Sequence, residues 1–216
     1  MVKLYLIPGL ATDERLFHKT ILPGVEMMVL KWPAFAPGDT MKSYANKFLP
    51  QIDSTKPFFL LGVSFGGMCA VEISKIINPK KLILVSSAKG GDELPYFMKM
   101  FRFMPLHILF SQAIFIKMSE FIKYVFGRHK TSDRDLLLKM LRECPENYLN
   151  GSTECIVNWR SHSSELNGIN VVHIHGTDDR VIPFRNIKNA IPVKGGNHFM
   201  VLNEADRVND ILNTFI

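Results

Sequence analysis

Phe58-Phe59-Leu60-Leu61-Gly62-Val63-Ser64-Phe65-Gly66-Gly67 is an uncharged apolar run that closes on a serine bracketed by glycines. Its composition predicts a strand buried on both faces that ends at Val63, a sharp turn at Ser64, and a helix that starts at Phe65. A turn this tight pushes neighbouring side chains into the helix and the adjoining strands, so Gly62 and Gly66 stand where a Cβ would collide. Ser64 is left pointing outward.

Upstream of this run, Val2 to Ile7 has the β-branched and aromatic content of a strand, and Pro8-Gly9 stops it. Thr12 or Asp13 is placed to cap a helix over residues 13–22, whose acidic start at Asp13 and Glu14 suits the helix dipole. Pro23-Gly24 ends it. Glu26 to Leu30 reads as the second strand, and Trp32-Pro33-Ala34-Phe35-Ala36-Pro37-Gly38 as a stiff apolar loop. Asp39 or Thr40 then caps a helix with Met41, Tyr44, Ala45, Phe48, Leu49 and Ile52 at helical spacing, its last turn kinked or shortened by Pro50.

Downstream, the helix after Ser64 runs to about Ile77, and Lys81 to Ser87 makes a fourth strand, apolar on successive residues. Strands and helices alternating through short links predict right-handed crossovers and a mostly parallel sheet. From Gly90 to about Asn167 the alternation stops. Phe, Met, Ile and Leu recur there at three- and four-residue intervals between Leu94 and Phe126, and again over Asp133 to Leu141 and Thr153 to Trp159. This block reads as an inserted helical subdomain. Asn170 to His175 and Ala190 to Val193 return to strand character, and Glu204 to Phe215 forms an amphipathic helix. The expected fold is α/β, with a core of residues 1–89 and 168–216 and a helical insertion over residues 90–167.

At 216 residues and 47% apolar content, the chain fits one domain. An excess of 26 Lys and Arg over 20 Asp and Glu gives a net charge of +6. The basic residues are scattered, with no RNA-binding signature and no helix-turn-helix signal, so they predict a solvated surface and no nucleic-acid partner. Met1 to Ile7 is too short an apolar run for a secretory signal. The longest uncharged apolar run, near Met104 to Ile116, falls below the roughly 18–20 residues that a spanning helix needs, so no stable membrane insertion is expected. Cys69, Cys144 and Cys155 are odd in number and lack CxxC spacing, which predicts plain thiols in a reducing, cytoplasmic compartment and no metal site. Nothing in the sequence signals an oligomeric state.

A serine hydroxyl becomes a nucleophile only with a base in hydrogen-bond reach and a third group to orient that base. Histidine is the usual base. Among His18, His107, His129, His162, His173, His175 and His198, the last stands out, because Gly195-Gly196-Asn197-His198 lies in a flexible loop between a strand and the final helix. His173 and His175 lie within a strand and read as packed or hydrogen-bonded. For the acid, Gly176-Thr177-Asp178-Asp179-Arg180-Val181-Ile182-Pro183 leaves a strand end directly, with both Asp178 and Asp179 available. In an open parallel sheet, loops at the carboxyl ends of strands gather at one edge, where ligands bind. Ser64, an aspartate and His198 all fall in such loops, in the chain order Ser, Asp, His.

With these pieces in place the chain resembles the α/β-hydrolase family over essentially its whole length outside the helical insertion. The matching segments are Ile7-Pro8-Gly9-Leu10, Gly62-Val63-Ser64-Phe65-Gly66, His175 to Pro183 and Gly196-Asn197-His198-Phe199. The family's acid loop, GxxDxxxP, is met by Gly176, Asp179 and Pro183, so the resemblance assigns the acid to Asp179 and leaves Asp178 to shape the turn. It also implies an oxyanion hole from the backbone N–H groups of Leu10 and Phe65, with Pro8-Gly9 replacing the common His-Gly. Further implied are a three-layer α/β/α sandwich, six parallel strands in the order 2-1-3-4-5-6, and a cap over the site whose Phe and Met side chains make the pocket apolar. No cofactor is implied. The expected activity is a serine hydrolase with catalytic Ser64, Asp179 and His198, acting on a small or medium apolar ester or thioester. The alternatives are a non-hydrolytic lyase on the same residues, or a ligand-binding protein on the same scaffold.

Overall fold

The computed structural model describes residues 2–101 and 131–216. Its centre is a sheet of strands β1 (Val2–Ile7), β2 (Val25–Val29), β3 (Phe58–Val63), β4 (Lys81–Val85), β5 (Val171–Gly176) and β6 (Ile191–Val193). All are parallel, in the spatial order β2-β1-β3-β4-β5-β6. This is the order expected from the sequence. Its register matters for function: Val63 lies opposite Val85, Val85 opposite Ile174, and Gly176 opposite Val193. β3 and β4 therefore end level with each other, β5 and β6 end level two residues further on, and the loops that leave all four start along one rim.

Alternate side chains of each strand go to opposite faces, which divides the core in two. On one face Tyr5, Ile7, Leu60, Leu82 and Leu84 pack with Tyr44 of α1 (Met41–Asn46) and with Phe65 and Met68 of α2 (Phe65–Ser74). On the other, Leu4, Leu6, Leu61, Ile83 and Val85 pack with Phe17 and with residues near the C-terminus. The part of the insertion that is described is helical: α3 (Tyr96–Met100), α4 (Thr131–Glu143) and α5 (Glu146–Val157). Tyr148 and Cys155 of α5 join the same core cluster as Tyr44 and Phe65. Two helices close the chain, α6 (Met200–Asn203) and α7 (Ala205–Phe215), and from them Leu202, Val208 and Leu212 complete the second face. The helical periodicity read over residues 102–126, the apolar run over 104–116, and His107 and His129 lie outside the described residues. Among the described residues no helix is long and apolar enough to cross a membrane.

Several element ends differ from the local readings, among them α2, which stops at Ser74, and β4, which stops at Val85, and two of the differences have a clear physical reason. Residues 13–22 form only a 3-10 turn, Glu14–Phe17. Asp13 accepts hydrogen bonds from both the Arg15 amide (3.0 Å) and the Arg15 guanidinium, and the amides of Leu16, His18 and Thr20 each close back three residues rather than four. The helix expected to reach Ile52 stops at Asn46, the residue four before Pro50, whose ring would collide with that carbonyl. Leu49–Gln51 continues as a 3-10 turn.

Candidate active site

Ser64 sits between β3 and α2 with φ 51° and ψ −120°, a region that L-residues rarely occupy and that costs about 1–3 kcal/mol. Its surroundings hold it there. The Ser64 amide donates to the Val85 carbonyl (3.0 Å), while its own carbonyl accepts from Gly67 N (2.9 Å), Met68 N (3.2 Å) and the Ser87 hydroxyl (2.7 Å). Crowding explains the flanking glycines. A Cβ on Gly62 would come within 2.4 Å of the Gly66 carbonyl oxygen, and one on Gly66 within 2.1 Å of the Pro8 carbonyl oxygen. The indole of Trp32 stacks on the ring of Phe65 at 5.4 Å and 13°, which pins the first residue of the helix. The Ser64 side chain does not cap α2. It is turned instead to His198.

His198 Nε2 lies 2.9 Å from Ser64 Oγ, and His198 Nδ1 lies 2.8 Å from Asp179 Oδ2. A carboxylate only accepts, so the proton between those two groups belongs to Nδ1, and Nε2 is free to take the serine proton. Both partners are buried, His198 at 5% exposure and Asp179 at 4%. The other oxygen of Asp179 accepts from the amides of Val181 (2.8 Å) and Ile182 (2.9 Å). Burial alone would push the Asp179 carboxyl upward. The charge of His198 and the hydrogen bonds from His175 and His198 outweigh it and hold the group well below the usual carboxylate range.

The loops that carry the acid and the histidine are built as one unit. A Cβ on Gly176 would meet the Gly196 carbonyl oxygen at 2.2 Å, so only glycine lets the two backbones approach this closely. Asp178 N donates to Gly196 O (2.9 Å), Thr177 N to Val193 O (3.1 Å) and Gly195 N to Thr177 Oγ1 (2.8 Å). Asn197 steadies the base from behind, its side-chain oxygen accepting from the Phe199 amide and from Asn203. Asp178 itself is exposed and accepts from the neighbouring Thr177 hydroxyl.

The loop after β1 lies against the serine. A Cβ on Gly9 would stand 3.6 Å from Ser64 Cβ, and Thr12 closes a turn onto the Gly9 carbonyl through both its amide (3.1 Å) and its hydroxyl (2.8 Å). Ala11 within that turn has φ 57°. Leu10 thus belongs to a segment packed against the start of α2, whose first residue is Phe65. A cavity of about 470 Å³ opens next to this turn, walled by Ala11, Trp32, Phe35, Met140 and Tyr148.

Of the histidines weighed from the sequence, the structure brings His198 to Ser64. His18 contacts the Arg15 carbonyl, and His162 caps a 3-10 turn. His173 and His175 are buried in β5, as expected, with Nε2 of each on a backbone carbonyl, Ser87 and Ile182 respectively. Two contributions were not read from the sequence: the Ser87 hydroxyl under Ser64, and His175 Nε2 at 3.3 Å from Asp179 Oδ2. Both depend on strand register, which a single sequence does not spell out.

No protein-family model matches the chain, and no curated protein matches it. Solved structures do. A thermophilic esterase from Thermogutta terrifontis, with malate bound, superposes with a TM-score of 0.79 at 15% identity, over 100% of this chain and 89% of the esterase. An esterase from Exiguobacterium antarcticum gives 0.74 at 15%, over 100% and 91%. A bromoperoxidase from Bacillus anthracis gives 0.72 at 19%, over 99% and 91%. Sheet order, strained serine turn and full-length superposition lead to one conclusion: this chain has the α/β-hydrolase fold.

Proposed function

We propose that the protein is a serine hydrolase that cleaves a small or medium apolar carboxylic ester or thioester through an acyl-enzyme. The observation that carries this reading is the unbroken hydrogen-bond relay from Ser64 Oγ to His198 (2.9 Å) and from His198 to Asp179 (2.8 Å). In the proposed reaction Ser64 Oγ attacks the substrate carbonyl carbon while its proton passes to His198 Nε2. The imidazolium that forms is stabilised by the buried Asp179 carboxylate, and the tetrahedral oxyanion by the Leu10 and Phe65 amides. His198 then gives its proton to the departing alkoxide or thiolate. Water, losing a proton to His198 in turn, attacks the acyl-serine, and as the acid leaves His198 returns that proton to Ser64 Oγ.

Further support comes from the neighbours, two of which are esterases by name. Residues 90–167 act as the cap in this reading, and a cytoplasmic location fits cysteines Cys69, Cys144 and Cys155, which form no disulfide among the described residues. A series of acyl esters and thioesters graded by chain length, with fluorophosphonate labelling alongside, tests the proposal. Ser64→Ala is expected to lower kcat by at least about 10⁴-fold and to abolish labelling, with the melting temperature kept. Labelling that persists in this variant, or turnover within tenfold of the parent, rules the reading out.

A further inference from the structure

His175 is fully buried in β5, and both polar contacts of its ring go through one atom, Nε2. Its Nε2 lies 2.8 Å from the Ile182 carbonyl, which can only accept, so Nε2 carries a proton. The same Nε2 lies 3.3 Å from Asp179 Oδ2, the oxygen that receives Nδ1 of His198. On the far side of the ring, Nδ1 is buried with no hydrogen-bond partner among the described residues. An apolar side chain would fill this space without leaving a ring nitrogen unpaired. What only a donor at this position supplies is a proton on the carbonyl that closes the acid loop, with its nitrogen 3.3 Å from the carboxylate.

We propose that His175 is a second positioning residue of the Ser64, His198 and Asp179 relay, sharing Asp179 Oδ2 with His198 and thereby loosening the carboxylate's hold on the His198 proton. The negative charge of Asp179 favours the imidazolium form of His198, and a second donor on the same oxygen spreads part of that charge. Removing that donor would leave the whole charge to act on the His198 imidazolium. Through Ile182 the same ring also fixes the turn whose amides hold Asp179 Oδ1. The other titratable groups nearby are His173, whose ring centroid is 5.4 Å from that of His175, and Lys89, which acts on His173. On the acid loop Asp178, Arg180 and Arg185 are exposed, and on the histidine loop Lys194 is exposed while Glu204 pairs with Arg207. None of these stands between His175 and the carboxylate.

The consequence for turnover rests on the hydrolase reading above, so the test has one arm with activity and one without. In the first, the acid limb of kcat/KM against pH is compared for the parent, His175→Leu and His175→Gln. Glutamine places an N–H near the site of Nε2, and leucine does not. The limb is expected to move upward by about half a pH unit or more in the leucine variant, and to return toward the parent in the glutamine variant. An unchanged midpoint, a downward shift, or equal shifts in both variants would overturn the proposal. In the second arm the ring nitrogens of His175 and His198 are titrated by NMR in Ser64→Ala, which needs no turnover and no change at His175. The expected outcome is a His175 ring protonated at Nε2 whose Nε2–H resonance moves with the titration of His198. A His175 ring protonated at Nδ1 alone, or an Nε2–H resonance indifferent to His198, sinks the proposal even if the leucine variant does not fold. Failure of the hydrolase reading would appear instead as absent turnover and absent labelling, with the NMR result intact.

Discussion

Asp179 illustrates how one side chain serves two ends. Its Oδ1 closes the acid loop by accepting from the Val181 and Ile182 amides, and its Oδ2 faces the imidazole of His198. Because His198 and His175 outweigh the effect of burial and depress its pKa in the folded state, the sign of its contribution to stability follows. The contribution is complete above the unfolded value of about 4 and is lost as pH falls through the lower folded value. Asp179→Asn is therefore expected to be less stable than the parent at neutral pH and to show a smaller loss of stability below about pH 4. Urea denaturation at pH 7 and pH 3 measures both, and parallel losses in the two proteins would argue against the assignment. Turnover should fall by about 10⁴-fold, since an amide in this position favours the wrong imidazole tautomer. Ser64, His198 and the acid loop were legible in the sequence because each sits in a loop with its own glycine. His175 was not, because a histidine on a strand reads the same whether it fills space or reaches a carboxylate.

At the scale of elements, the β3–α2 junction works because three backbones meet with no side chain between them. Gly66 is the critical position: a methyl group there would come within 2.1 Å of the Pro8 carbonyl oxygen and 2.4 Å of the Ile7 carbonyl oxygen. Backbone atoms of a central strand cannot turn aside as a flexible side chain can. Gly66→Ala is accordingly expected to destabilise the protein by about 3 kcal/mol or to prevent folding. Chemical denaturation checks this, and a loss below about 0.5 kcal/mol would mean that the strand end yields. The glycine spacing and the apolar strands made the parallel sheet readable in advance, and its strand order came from the resemblance to the α/β-hydrolase family. Helix limits were less so, for local reasons. Asp13 and Arg15 satisfy each other and leave a 3-10 turn, and Pro50 ends α1 a full turn before its own position.

On the scale of the molecule, the question is whether the inserted segment folds with the sheet or as a detachable piece. Its two ends are tied together and to the core: Gly91 N donates to Ser161 O (2.7 Å), and Ser163 donates to Asp92 through both its amide and its hydroxyl. Glu72, buried on α2, accepts from Trp159 Nε1 (2.8 Å), from the Ser161 hydroxyl and from Lys75. The ring of Tyr148 meets Trp32 edge-on at 5.0 Å and Phe35 at 5.5 Å, so α5 extends the aromatic cluster that backs the serine turn. These contacts make the described part of the insertion continuous with the core, and a single cooperative unfolding transition follows. The chain has two tryptophans, Trp32 on the sheet side and Trp159 where the insertion returns, and they report on the two regions separately. In Trp32→Phe and Trp159→Phe, each followed by its remaining indole, the fluorescence transition should coincide with loss of helical circular dichroism. Adding Tyr148→Ala to either should lower stability by about 3–5 kcal/mol while the two probes stay coincident. A transition reported by Trp159 that precedes the one reported by Trp32 would show instead that the insertion melts on its own, with the serine turn still in place beneath it.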